Sequence, residues 1–204
     1  MDSTAELISI DNSPELAVSQ ASKVFNSGQI FIYPTDTIYG FGCNPFNKTS
    51  LKKLNAIKGR VAIKRFILLV DTLEMLFKYV AKLDIQQSEL LNRIWPNPIS
   101  VILRLNDSTI ENLGYDSAAF RIPDHAFCIN LLKKIKIPIV STSVNITGAK
   151  QLNNFPEIKH EFADKVAAIF YTESEANTEP STLIDLTESK PIVLREGKIK
   201  YLEL

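Results

Sequence analysis

The segment Pro34-Thr35-Asp36-Thr37-Ile38-Tyr39-Gly40-Phe41-Gly42 packs two threonine hydroxyls and a carboxylate between a proline and two glycines. Such a stiff turn offers several donors and acceptors to a small polar ligand. The same residue types also serve an ordinary turn whose hydroxyls satisfy nearby backbone groups. Lys58-Gly59-Arg60, with Lys64-Arg65 just after, forms a second cluster. Cations at a helix C-terminus are favourable against its dipole. They are equally suited to clamping phosphate, lysine as a point charge and arginine as a planar fork. A third cluster, Ser141-Thr142-Ser143-Val144-Asn145-Ile146-Thr147-Gly148, follows an apolar run directly. Its side-chain oxygens and backbone N–H groups can face an anion or simply cap a turn. The fourth joins Pro180-Ser181-Thr182 to Leu194-Arg195-Glu196-Gly197. Arg121 stands inside the apolar run Ala118–Ile122. Arginine is rarely buried alone, so it either pairs with an acid or holds a substrate carboxylate.

Each cluster falls at the end of an expected strand. Ser13-Pro14-Glu15 reads as a helix start, with a hydroxyl cap, proline in the first turn and an acid at the positive dipole end. That helix runs to about Ser27, with Gly28 as its stop. Expected strands follow at Gln29–Tyr33, Phe66–Val70, Ile99–Leu105, Ala118–Ile122, Ile137–Val140, Val166–Tyr171, Thr182–Leu186 and Ile192–Arg195. Helices are expected over Thr49–Lys58, from the Asp71-Thr72-Leu73-Glu74 capping signal to about Val80, before Trp95-Pro96, and after an Asp124 cap. Ala149–Pro156 and Glu173–Pro180 read as loose segments. Alternating elements with a strand-rich end predict an α/β sheet of mixed direction.

Composition narrows the function classes. The 204 residues carry 23 basic and 23 acidic side chains, so a nucleic-acid-coating protein is disfavoured. Hydrophobic content of 45% fits a chain that buries a core without staples. Two widely spaced cysteines, Cys43 and Cys128, make no disulfide framework, and the acidic start Met1-Asp2-Ser3-Thr4-Ala5-Glu6 is unlike a signal peptide. No apolar run is long enough to span a bilayer. A cytoplasmic protein with no membrane association is therefore expected. His125 and His160 show no metal-ligand spacing with the cysteines, and no protein-held metal is expected. Neither GxxxxGK[ST] nor GxGxxG occurs, so a P-loop or dinucleotide fold lacks support.

Taken in order, YPTDTIYG, KGR, WPNP, AAFRIPDH, STSVNITG, PSTLIDLT and LREG resemble the YrdC-like family of threonylcarbamoyl-adenylate synthases, from about Gly28 to Gly197. The resemblance implies one YrdC-like domain over 1–204. Its expected form is a twisted open mixed sheet with flanking helices around a concave basic cavity. It implies condensation of L-threonine, bicarbonate and ATP, with Mg²⁺, to threonylcarbamoyl-AMP and pyrophosphate. The product would feed threonylcarbamoyladenosine modification of ANN-decoding tRNAs, completed by a separate transferase complex. By motif position, Thr35, Arg121, Ser141 and Ser181 would bind threonine. Lys58 and Arg60 would be catalytic and bind the triphosphate. Ser117, Ser143, Asn145 and Arg195 would complete the ATP site. The chain departs from the family motif at Val61, Val144 and Asn97, and carries Asp36 for glutamate. The rival readings are a noncatalytic double-stranded RNA or tRNA-binding module, and a paralogue with carbamoyl-transfer chemistry.

Overall fold

The structure is a computed structural model that describes residues 4–60, 65–173 and 179–201. Chain order begins β1 (Glu6–Ser9), α1 (Pro14–Asn26), β2 (Phe31–Tyr33), β3 (Gly40–Gly42), α2 (Lys48–Ile57) and β4 (Ile67–Leu69). It continues α3 (Leu73–Leu76), α4 (Ile85–Ile94), β5 (Ile99–Arg104), α5 (Asp107–Leu113), β6 (Ser117–Arg121) and α6 (Ala126–Ile135). It closes with β7 (Ile139–Ser143), α7 (Phe155–Phe162), β8 (Ala168–Tyr171), β9 (Thr182–Asp185) and β10 (Ile192–Arg195). The strands form one mixed sheet in the order β1-β8-β2-β3-β7-β4-β6-β5-β9-β10. The mixed α/β class expected from the sequence is thus the class observed.

Local chemistry sets most helix starts. Asn47, Thr72, Asn106 and Asn154 each accept a backbone N–H of the first turn. Asp84 and Gln87 close a reciprocal capping box on α4. Two expected caps are not made. Ser13 makes no side-chain bond at the start of α1, where Pro14 supplies a preset φ instead. α6 begins at His125–Ala126, which leaves Asp124 one residue too early to cap it. Asp124 instead lines a separate cleft with Asp71 and Glu74. Gly28 sits at φ +69° just past α1, a conformation that favours glycine.

The core lies where central strands are covered on both faces. β2 and β3 are buried throughout. Phe31, Tyr33, Phe127 and Phe170 form one aromatic group, with Phe31 meeting Phe170 edge-on at 5.8 Å. α1 and α6 pack together on this side of the sheet. Burial of each such ring stabilises the fold by roughly 1.5–3 kcal/mol.

β7 organises the site. It runs antiparallel to β3 on one side and β4 on the other, pairing Gly40 with Ser143 and Ile67 with Ser141. β4 pairs in parallel with β6, placing Leu69 beside Arg121. β5 and β9 continue the sheet in parallel, with Ile99 opposite Thr182. The four polar clusters, distant in sequence, therefore meet across adjacent strands.

Candidate active site

A cavity of about 390 Å³ opens between the Thr37–Tyr39 turn, β7, β6 and the Pro180–Ser181 segment. Its charged lining, among the described residues, is Arg60, Arg65, Arg121 and Arg195, with no carboxylate on its wall. Ser141, Ser143, Ser181 and Thr37 supply hydroxyls. Of the residues proposed from sequence, the structure places Arg60, Arg121, Ser141, Ser143, Ser181 and Arg195 on this wall. Thr35, Lys58, Ser117 and Asn145 stand behind it.

Thr35 holds the turn rather than the cavity surface. Its hydroxyl donates to the Ile38 carbonyl at 2.8 Å and accepts from the Thr37 N–H at 3.1 Å. The Thr37 hydroxyl lies 3.0 Å away and must donate to it, because Thr35 has already spent its proton. Thr37 in turn accepts from Arg121 Nη1 at 3.0 Å. The same nitrogen lies 3.2 Å from Asp36 Oδ1, in a pair whose side chains are 3% and 6% exposed. Both alternatives left open for Arg121 thus have a physical basis. It pairs with an acid from inside the protein, and it also lines the cavity. Among the described residues, Arg121 Nε is buried without a hydrogen-bond partner.

Lys58, at the end of α2, is 1% exposed. Its ammonium donates to Ser143 O at 2.6 Å, Asn145 O at 3.1 Å and Asn145 Oδ1 at 2.9 Å. All three N–H groups of the ammonium are therefore used by the turn after β7. Ser143 Oγ also donates to Asn145 Oδ1, and Asn145 Nδ2 donates to Ala149 O. Thr147 N donates back to Lys58 O at 2.9 Å. Val144 points away from the cavity into the core, fully buried, so its bulk does not narrow the approach. Asn97 donates through Nδ2 to Ile94 O and closes its turn with a side chain. Val61 and Lys64 lie outside the described residues.

Arg60 is positioned by a hydrogen bond from Nε to Thr147 Oγ1 at 3.2 Å and by the Phe66 ring, 4.9 Å from its guanidinium carbon. Arg60 lines the cavity, and among the described residues its buried Nη1 has no hydrogen-bond partner. Arg195 donates to Ser181 O at 2.9 Å. Burial, with help from nearby Arg121, holds the Arg195 pKa below its ordinary value, and burial does the same to Arg60. Burial and then the Arg60 charge pull the Lys58 ammonium down to about 7. Burial is the first cause of all three shifts, so an anionic ligand on the cavity wall would favour the charged forms of Arg60 and Arg195.

The sequence singled out no role for Phe66 or Ser100, and it placed Thr37 and Arg65 only as members of their polar and cationic clusters. Arg65 grips the Ser117 hydroxyl and pairs with Asp116 at 3.0 Å, so Ser117 reaches the cavity through Arg65. In extended backbone residues i and i+2 share a face, so the spacing of Thr35 and Thr37 gave no signal to tell their tasks apart.

The comparisons with known proteins agree with this geometry. The Sua5/YciO/YrdC family model, described as "Telomere recombination", matches residues 23–197. The threonylcarbamoyl-AMP synthase of Pseudoalteromonas translucida (strain TAC 125) is 31% identical over 182 residues, covering 87% of this chain and 97% of the relative. P. abyssi Sua5 complexed with L-threonine superposes with a TM-score of 0.87 at 26% identity, covering 98% of this chain. This chain spans 59% of that protein's length. E. coli YciO superposes with a TM-score of 0.83 at 25% identity, covering 97% of each chain. With the family's motifs ordered along the chain and drawn together on one arginine-lined wall, this protein belongs to the Sua5/YciO/YrdC family.

Proposed function

We propose that this chain is an L-threonylcarbamoyladenylate synthase, a nucleotidyltransferase that makes threonylcarbamoyl-AMP and pyrophosphate from L-threonine, bicarbonate and ATP. The observation that carries the reading is the convergence of Arg60, Arg121 and Arg195 beside Ser181 on a wall without carboxylates. A chain 31% identical to a named threonylcarbamoyl-AMP synthase supports the choice of reaction. That naming also counts against a noncatalytic RNA-binding module. The proposed unit is one domain over residues 1–204.

In this reading Arg121 and Ser181 hold the threonine carboxylate, with Ser141 beside them and Thr35 acting through Thr37. The neutral threonine amine attacks the carbon of bicarbonate with loss of water, or of CO₂ with loss of a proton, and gives an N-carboxylate. An oxygen of that carboxylate attacks the α-phosphorus in line, and pyrophosphate leaves. No covalent bond to the protein is required. The rate comes from positioning and from stabilising the developing charge. Arg60 and Arg195 face the phosphates, while Lys58 and Asn145 keep the Ser143 turn in shape. Ser117 sets Arg65 at the nucleotide end. The described residues contain no cluster of three metal-ligating side chains, so the wall does not suit a protein-held Mg²⁺, and no step is assigned to it. Any magnesium would arrive on the nucleotide's own phosphates.

The adenylate product is a mixed anhydride that water destroys, so it suits immediate use by a tRNA-modifying transferase. No helix among the described residues is long and apolar enough to cross a membrane, and a cytoplasmic setting fits that reaction. The test is a single assay with ATP, L-threonine and labelled bicarbonate. Pyrophosphate and labelled adenylate should appear together and only when all three are present. Pyrophosphate release without threonine, or no release at all, would sink the proposal.

A further inference from the structure

Ser100 is the second residue of β5 and is fully buried. Its hydroxyl meets Ser181 Oγ at 2.8 Å, and among the described residues it has no other hydrogen-bond partner. Ser181, 3% exposed, lines the cavity, and its carbonyl is held by Arg195. The adjacent Thr182 N–H is held by Pro98 O at 3.0 Å. Backbone and side chain of Ser181 are thus fixed from separate sides, the side chain, among the described residues, by Ser100 alone.

Each serine hydroxyl has one proton, so the direction of the Ser100–Ser181 bond decides what Ser181 shows the cavity. If Ser181 donated, the Ser100 proton would be left in a sealed strand with no acceptor. A buried unsatisfied donor costs about 1–3 kcal/mol. If Ser100 donates, it is satisfied, and the Ser181 proton turns toward the cavity where a ligand can accept it. Under-used acceptor lone pairs are the cheaper deficit.

We infer that Ser100 is a positioning residue that orders this hydroxyl pair, so that Ser181 presents a donor O–H to an anionic substrate oxygen beside Arg121 and Arg195. The ligand class is a carboxylate, and the inference rests on the reading of this cavity as the L-threonine site. Ser100 never touches substrate. By donating to the Ser181 oxygen it fixes the rotor of that hydroxyl and polarises its O–H toward the cavity; without it the hydroxyl turns freely.

The test compares Ser100→Thr with Ser100→Val, side chains of one shape that differ by the hydroxyl alone. A fit defect therefore appears in both and an ordering defect only in the second. L-threonine binding is measured by calorimetry, and KM for threonine and for ATP by pyrophosphate release. Ser100→Val should weaken threonine about tenfold, the scale of one hydrogen bond to a charged group, with ATP KM unchanged. Ser100→Thr should restore binding to within about twofold of the parent protein. Equal threonine affinity in the two variants overturns the inference. Ser181→Ala separates the two levels of the argument. If it weakens threonine while the Ser100 pair stays equal, only the ordering role fails. If Ser181→Ala leaves threonine binding intact, the assignment of the pocket fails along with it.

Discussion

Lys58 Nζ donates to both oxygens of Asn145, at 3.1 Å to the backbone carbonyl and 2.9 Å to Oδ1. With Ser143 O as third acceptor, the ammonium is a bolt through the turn after β7 rather than a free phosphate ligand. Arg60, two residues on, lines the cavity instead. Neighbours in the KGR cluster therefore take different places, one internal and one on the cavity wall.

Lys58→Met and Arg60→Ala should both remove threonine- and bicarbonate-dependent pyrophosphate release, for different reasons. Loss of Lys58 orphans buried acceptors and should lower unfolding free energy by about 2 kcal/mol. Arg60→Ala should stay within about 0.5–1 kcal/mol of the parent protein. Urea melts distinguish them, and equal midpoints for the two variants would refute the division of labour.

Protonation of Lys58 gives a pH prediction. Its folded pKa of about 7 lies below the 10.5 of a free lysine. Between those values the unfolded chain binds the proton that the folded chain has released, so stability rises with pH across this window. A neutral amine has only two N–H groups for three acceptors, so one acceptor loses its donor when Lys58 deprotonates. Nucleotide polyphosphate beside Arg60 should draw the pKa back up. ATP binding near pH 8 should then be accompanied by net proton uptake. Calorimetry in two buffers of different ionisation enthalpy measures it, and Lys58→Met should abolish it. Zero uptake by the parent protein would defeat the prediction.

The Asp36–Arg121 pair should make ligand and stability trade places. Asp36→Asn leaves a buried guanidinium without its countercharge, which costs about 3 kcal/mol. A substrate carboxylate can supply that charge. Saturating L-threonine should consequently raise the melting temperature of Asp36→Asn more than that of the parent protein. Identical shifts would mean that threonine does not bind against Arg121. Arg121→Ala should raise threonine KM about 100-fold or more while ATP KM moves little, on the scale of a lost charge-assisted bidentate contact.

Gly197 is required by space rather than by backbone freedom. A Cβ there would sit 2.3 Å from Pro180 O and 2.5 Å from Ser181 C. Gly197→Ala should push the Pro180–Thr182 segment off β5. It should cost about 1–3 kcal/mol of stability and displace both Ser181 and Arg195. Threonine KM should rise with it. A variant of unchanged stability and threonine KM would show that the segment yields freely.

Local signals in the sequence determined several elements closely. Pro14 with Gly28 bracketed α1, and the apolar runs foretold β5, β6 and β10 near their observed limits. The strand at β3 was not legible, because Gly40-Phe41-Gly42 has no periodicity and becomes a strand only between β2 and β7. The helices α5 and α7 were missed, although Asn106 and Asn154 cap them, and α7 begins inside a stretch read as loose. β1 was missed too, since four residues with only Ile8 buried become a strand by pairing with distant β8.

The polar clusters and their order were readable from the sequence, and so was the family they resemble. Residue types alone could not say which member of each cluster would face the cavity. Thr35 and Thr37 carry the same hydroxyl, yet Thr35 spends its hydrogen bonds inside the turn while Thr37 meets Arg121. Lys58 is saturated by Ser143 and Asn145, 85 and 87 residues away. Ser100 had no signal at all, because its partner comes from a strand 81 residues on. A hydrogen-bonding group has limited capacity, and only the assembled sheet decides which neighbours use it up and which groups remain for a ligand.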